Sequence, residues 1–198
     1  MDTLIFAILV ILNIATFGFS VVAPLMRQDK YLNLCIGIAI FASGSIMLIN
    51  GLYGLSVISA IALVRQYLAY RYADRWTHTH LLYAAHVVAV LSALVTFLNY
   101  QNWTSFWGAL DNVMCAYGFI LLTGVKLRVL TLIHGVIWTC IGWYMQAPGV
   151  IGAASFMGVT SIWAMYEMKY GLIHAPWLDK FLLRFGVKRT AFEPGLAS

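Results

Sequence analysis

Apolar side chains come along this chain in runs of about 17–22 positions, separated by short polar stretches. An α-helix rising 1.5 Å per residue needs about 20 such residues to cross roughly 30 Å of hydrocarbon. No alternation of period two is present, so the pattern offers no strands for a membrane barrel. The runs predict seven helical spans. The first two cover about Thr3–Ala23 and Asn33–Ile49, and the third starts near Leu52, its purely apolar part ending at Val64. The remaining four cover about Leu81–Leu98, Ser105–Thr123, Val129–Met145 and Val150–Tyr166. Breakers fall between them: Pro24, Asn50-Gly51, Asn99–Trp103 and Gln146-Ala-Pro-Gly149.

Composition agrees with this pattern. Of 198 residues, 62% are hydrophobic and 10% charged, against about 25% charged in a soluble domain. Too little polar surface is available to cover a water-soluble core. The chain is expected to be an all-α integral membrane protein.

Charge then orients the spans. Arg27 and Lys30 follow the first span, Arg65, Arg71 and Arg75 close the third, and Lys126 and Arg128 follow the fifth. Lys169, Lys180, Arg184, Lys188 and Arg189 come with or after the seventh, which accounts for all 12 basic residues. The turns at 50–54, 99–103 and 146–149 carry no charge. Seven spans put every basic group on one face, which the positive-inside rule makes cytoplasmic, with the N-terminus outside and the C-terminus inside. The net charge of +5 is spread along span ends and suits anionic lipid headgroups, so the bilayer and not nucleic acid is the expected partner. Trp177, Phe181, Leu182 and Phe185 share one helical face opposite Asp179, Lys180 and Arg184. Residues 174–187 therefore read as an interfacial amphipathic helix, and 188–198 as a flexible tail. Residues 1–173 form a single transmembrane domain.

Within that domain an internal repeat is expected. Residues 3–72 and 104–170 share one plan: span, basic loop, span, uncharged turn, then a small-residue-rich span ending in aromatic and basic side chains. A linker helix at about 80–99 separates them. A single helix between two triplets gives both the same orientation, a 3+1+3 parallel repeat about an axis along the membrane normal. The plan resembles the SWEET, PQ-loop and PnuC-like transporters. On the loop Arg27–Lys30, the turn and helix Gly51–Tyr72 with Arg65 inside it, and Val136–Lys169 with Trp138, the chain most resembles the YgjV-type family of bacterial inner-membrane proteins. That resemblance implies an inner-membrane address. Pro24 is followed by Leu25 where the PQ-loop group has Pro-Gln, so no residue role is carried over from that group.

Polar residues at membrane depth are costly unless paired or hydrated, and they mark the candidate sites. Asp111 and Asn112 lie about two turns into the fifth span; a carboxylate there suits a cation, a proton, or the donors of a polar solute, or it lines a wet vestibule. His134 and Trp138, four apart, share a face of the sixth span and suit either a solute floor or helix packing. Asn13 in the first span reads as a fifth lining residue or as interhelical glue. Arg65 and Glu167, near the cytoplasmic ends of corresponding spans, could pair as a gate or extend separately to the interface. The small residues at 42–45 and 152–155 suit close helix approach.

Cys35, Cys115 and Cys140 lie inside apolar runs without CxxC or Cys/His zinc spacing, and read as packing residues. His78 and His80 make a weak metal case without a further donor, and His86 reads as structural. No cofactor is expected, and no HExxH, GxSxG or phosphate-binding glycine loop points to an enzyme. The expected function is transport of a small polar solute by alternating access. The alternative is a non-catalytic subunit, homo-oligomeric or docked in a larger membrane complex. Transport requires Asn13, Asp111, Asn112, His134 and Trp138 to converge, whereas a subunit would scatter them.

Overall fold

The apolar runs fold as helices whose ends are set by identifiable residues. In the computed structural model the described residues are 3–26, 28–51, 53–73, 75–99, 103–144 and 148–170, together with 180 and 183. They form seven α-helices: α1 Thr3–Val22, α2 Asp29–Ile49, α3 Tyr53–Tyr72, α4 His78–Leu98, α5 Trp103–Leu121, α6 Gly124–Tyr144 and α7 Pro148–Tyr170. A 3-10 turn over Ala23–Leu25, carrying Pro24, ends α1. Gly51 at φ +73° stops α2, and Thr77 caps α4 by accepting a bond from His80 N. Apart from residues 180 and 183, the segment expected at 174–187 lies outside the described residues, as do the tail and Arg27.

Several spans run further than hydropathy alone predicts. α2 begins at Asp29, α6 at Gly124 and α4 at His78, so the polar loops read from sequence are largely first helical turns. α3 continues through Arg65 and Arg71 to Tyr72, whose ring stacks on Trp76 at 4.4 Å. α7 starts at Pro148, which the sequence pattern places in a turn; proline suits a first helical turn because its missing N–H has no partner to lose.

Five helices are long and apolar enough to cross a membrane: α1 with its 3-10 extension, α2, α4, α6 and α7. Their outward surfaces fit that solvent, with Leu4, Phe97 and Trp143 more than 70% exposed. α3 and α5 carry Arg65, Gln66 and Asp111 and bury all three.

Each helix of a closed ring packs on the next in the order α1, α2, α3, α5, α6, α7 and back to α1, while α4 lies outside against α3 and α5. The two tightest seams, α2–α3 and α6–α7, are lined by small residues. A Cβ at Gly44 would lie 2.8 Å from Ser59 Cβ, and one at Gly135 would lie 2.8 Å from the Ala154 carbonyl oxygen. Hydroxyls stitch the second seam: Thr131 to Ser161 at 2.9 Å and Thr139 to Ser155 at 3.3 Å. The close approaches read from residues 42–45 and 152–155 thus involve Gly44 and Ala154, while a Cβ on Gly152 would meet nothing within 4 Å.

An apolar cluster inside the ring gathers Leu25, Leu32, Cys35, Ile36, Phe119, Leu127 and Leu130. A second, smaller one seats α4 through Leu81, Ala85, Val88 and Ala89 on Ala116 and Ile120.

Candidate functional site

Helical spacing on α5 puts Asp111, Cys115 and Phe119 on one face, and spacing on α6 puts His134 and Trp138 on another. The α5–α6 seam brings these faces together. His134 Nδ1 lies 2.8 and 2.9 Å from the two oxygens of Asp111. Trp138 Nε1 donates to Asp111 Oδ2 at 2.8 Å. The Cys115 thiol lies 3.6 Å from Asp111 Oδ1 and 3.4 Å from His134 Nδ1. Asp111 is 1% exposed, so these side chains replace water around a carboxylate that would otherwise be very costly to bury.

Depth follows from the helix bounds. Asp111 sits near the middle of α5 and His134 at the middle of α6. At 1.5 Å per residue, both stand about 15 Å from the helix ends at Leu121 and Gly124.

α3 supplies the opposing charge. Arg65, 3% exposed, holds its guanidinium carbon 5.0 Å from the centroid of the Phe119 ring. Beside it Gln66, also buried, has its Cβ 3.6 Å from where a Cβ on Gly37 of α2 would stand. Among the described residues, Arg65 Nε, both amide atoms of Gln66 and Oδ1 of buried Asn33 have no hydrogen-bond partner in the protein. Each such atom costs about 1–3 kcal/mol unless solvent or a bound molecule satisfies it.

A separate ion pair lies at the basic end. Asp29 of α2 accepts from Arg128 of α6 and, at 2.8 Å, from Gly124 N. It thereby caps α6 from another helix, at the end where the positive pole of the helix dipole favours an anion. Arg128, fully buried, also donates to the carbonyls of Met26 and Gly124. Leu32, Ile36, Phe119 and Leu127 fill the interior on this side.

Of the residues chosen from sequence, the structure brings Asp111, His134 and Trp138 into direct contact. Asn112, the next residue along α5, is half-buried. Asn13 stands on an exposed face of α1 and donates to Leu9 O of its own helix at 2.8 Å. Arg65 and Glu167 are both buried. Arg65 lies over the Phe119 ring, and Glu167 accepts from Trp163 Nε1 at 3.1 Å. His78 and His80 stand exposed in the first turn of α4, with His80 Nδ1 3.1 Å from Thr77 Oγ1, and His86 rests against Leu82 O and the Tyr117 ring.

Sequence reasoning missed Cys115, Gln66, Asn33 and the Asp29–Arg128 pair. The Asp111/Cys115 spacing of four was there to be read, as was the lone acid in the basic loop. The chain matches no protein-family profile, no curated protein and no solved structure.

Proposed function

We propose that this chain is an inner-membrane transporter or facilitator of a small polar solute, recognised at Asp111, His134 and Trp138. The observation that carries the reading is convergence: a mid-helix carboxylate bound by two side chains of a second helix, with a buried arginine of a third helix against Phe119 on the same face of α5. Scattered polar residues, each satisfied within its own helix, would favour a packing subunit instead. Asn13 has that character; Asp111 does not.

In this reading all seven helices cross the bilayer. α3 and α5 cross because their neighbours cover Arg65, Gln66 and Asp111, although the apolar stretch of α5, Phe106–Leu121, is short. The ring's neighbour relations are unchanged when α1, α2 and α3 are exchanged for α5, α6 and α7. That supports a parallel repeat with α4 as linker, and two three-helix units that rock about the site between them. The Asp29–Arg128 pair joins α2 to α6, equivalent helices of the two units, and would hold the basic end closed while the site faces the other way. The partnerless atoms of Asn33, Arg65 and Gln66 are the donors and acceptors available to water or to a neutral polar solute; Asp111 suits a cation.

The test is access. Single cysteines at Asn33, Gln66, Asn112, His134 and Trp138, in a chain lacking Cys35, Cys115 and Cys140, are exposed in vesicles to a membrane-impermeant thiol reagent. Labelling at several of them, with a control at Asn50, is the expected result. Labelling at Asn50 alone rejects a water-accessible site and moves the search to partner proteins.

A further inference from the structure

The three ligating atoms at the centre of the site are more crowded than hydrogen bonding requires. Nδ1 of His134 carries at most one proton or one lone pair, yet Asp111 Oδ1, Asp111 Oδ2 and Cys115 Sγ approach it at 2.8, 2.9 and 3.4 Å. The thiol, with one hydrogen, stands between Oδ1 and Nδ1 at 3.6 and 3.4 Å. Carboxylate oxygen, imidazole nitrogen and thiol sulfur thus all lie within 4.8 Å of one another.

These separations suit a tetrahedral metal ion. With bonds of about 2.0–2.1 Å to N or O and about 2.3 Å to S, the S–N and S–O edges of a tetrahedron are about 3.6 Å and the N–O edge about 3.3 Å. Both sulfur edges are already within about 0.2 Å of that geometry, and the His134–Asp111 edge has to open by about 0.5 Å.

We propose that Asp111, Cys115 and His134 bind a divalent transition metal of the zinc class, leaving the fourth position open. Trp138 supports the site from outside the ligand set: its N–H on Oδ2 orients the carboxylate and leaves Oδ1 for the ion. Two anionic ligands neutralise a dication, which low-dielectric surroundings require. Binding replaces the proton on Cys115 Sγ, and His134 ligates through Nδ1 as neutral imidazole with its proton on Nε2, so the thiol proton leaves as the metal arrives. Thiolate and imidazole favour zinc, cobalt and similar ions over magnesium and calcium, which prefer oxygen alone. This deepens the transport reading, on which it rests for the ion's movement, by naming the class of solute.

Cobalt(II) reports on it directly. The full chain, purified in detergent, is titrated with Co²⁺ and followed for sulfur-to-cobalt charge-transfer absorption and tetrahedral d–d bands, with Zn²⁺ and Mg²⁺ as competitors. The expected result is one Co²⁺ per chain, displaced by Zn²⁺ and not by excess Mg²⁺. Cys115→Ser should abolish the charge-transfer band and weaken Zn²⁺ binding by more than about 100-fold, and Trp138→Phe by about 10–100-fold. The band should persist in the Cys35→Ser/Cys140→Ser variant, which keeps Cys115 as its lone thiol.

A wild-type chain without the band overturns the proposal, as does a band that survives Cys115→Ser. The wild-type and two-serine measurements decide even where Cys115→Ser does not fold. Metal binding without thiol access at Gln66 and Trp138 upholds the metal site and rejects transport. Access without metal binding rejects the metal site and leaves transport of another solute.

Discussion

Asp111 accepts from His134 and Trp138 while almost wholly buried, so its charge is held by two side chains of one neighbouring helix. A hydrogen bond to a charged group contributes about 1.5–3 kcal/mol net, and leaving a buried charge without its partner costs more. Asp111→Asn and His134→Ala should therefore each destabilise the protein by about 1–3 kcal/mol, and the double variant by less than their sum, with a coupling of about 0.5–3 kcal/mol. Thermal unfolding of the four proteins in detergent measures this, and additive effects would show that the two residues do not act as a pair. Sequence made Asp111, His134 and Trp138 visible because polar groups at membrane depth need a reason to be there. It made Asn13 visible for the same reason, but an asparagine in a helix can donate to the carbonyl four residues back, as Asn13 does to Leu9. Cys115 stayed hidden because a cysteine in an apolar run has the composition of core; its thiol acquires a role only through a cross-helix register that no single run contains.

At the scale of elements, helix approach divides residues that look alike in sequence. Gly135 of α6 and Gly152 of α7 are both glycines inside apolar helices. A Cβ on Gly135 would meet backbone, Ala154 O at 2.8 Å and Gly158 N at 3.2 Å, whereas one on Gly152 meets nothing within 4 Å. Backbone cannot turn aside as a side chain can, so Gly135→Ala should push α6 and α7 apart at a cost of about 1–3 kcal/mol. Gly152→Ala should be neutral or stabilise by up to about 1 kcal/mol through helix propensity. Unfolding midpoints compare the two, and a Gly135→Ala protein as stable as the wild type would mean that this seam is looser than the structure has it. Hydropathy placed all seven helices but began several of them late. It discounts polar first turns such as Asp29–Lys30 and Lys126–Arg128, which belong to α2 and α6 because the Asp29 carboxylate and Arg128 satisfy one another and the orphan N–H of Gly124.

For the whole molecule, the question is how seven helices meet two faces when five of them satisfy a simple hydropathy test. Chain continuity gives an answer. α2 runs from Asp29, beside Lys30, to Ile49, and α4 starts at His78, just after Arg71 and Arg75. If the basic groups share a face, the chain must return across the full thickness between residues 49 and 78. The 20 residues of α3 reach about 30 Å, the thickness of the hydrocarbon core. The same holds for α5 between α4 and α6, with 19 residues. Were α3 to lie on the surface instead, α4 would invert, and Lys126 and Arg128 would be left on the opposite side from Lys30. A single cysteine at Asn50 should therefore react with an impermeant maleimide added to intact spheroplasts. One at Lys126 or Arg75 should react only after the membrane is opened. Labelling of Lys126 from outside would break the seven-span arrangement and with it the parallel relation of the two triplets, because a parallel repeat requires an even number of crossings between Ala23 and Gly124. The expected pattern leaves α3 and α5 as the helices that cross only in company, and these are the helices that contribute Arg65, Asp111 and Cys115 to the site.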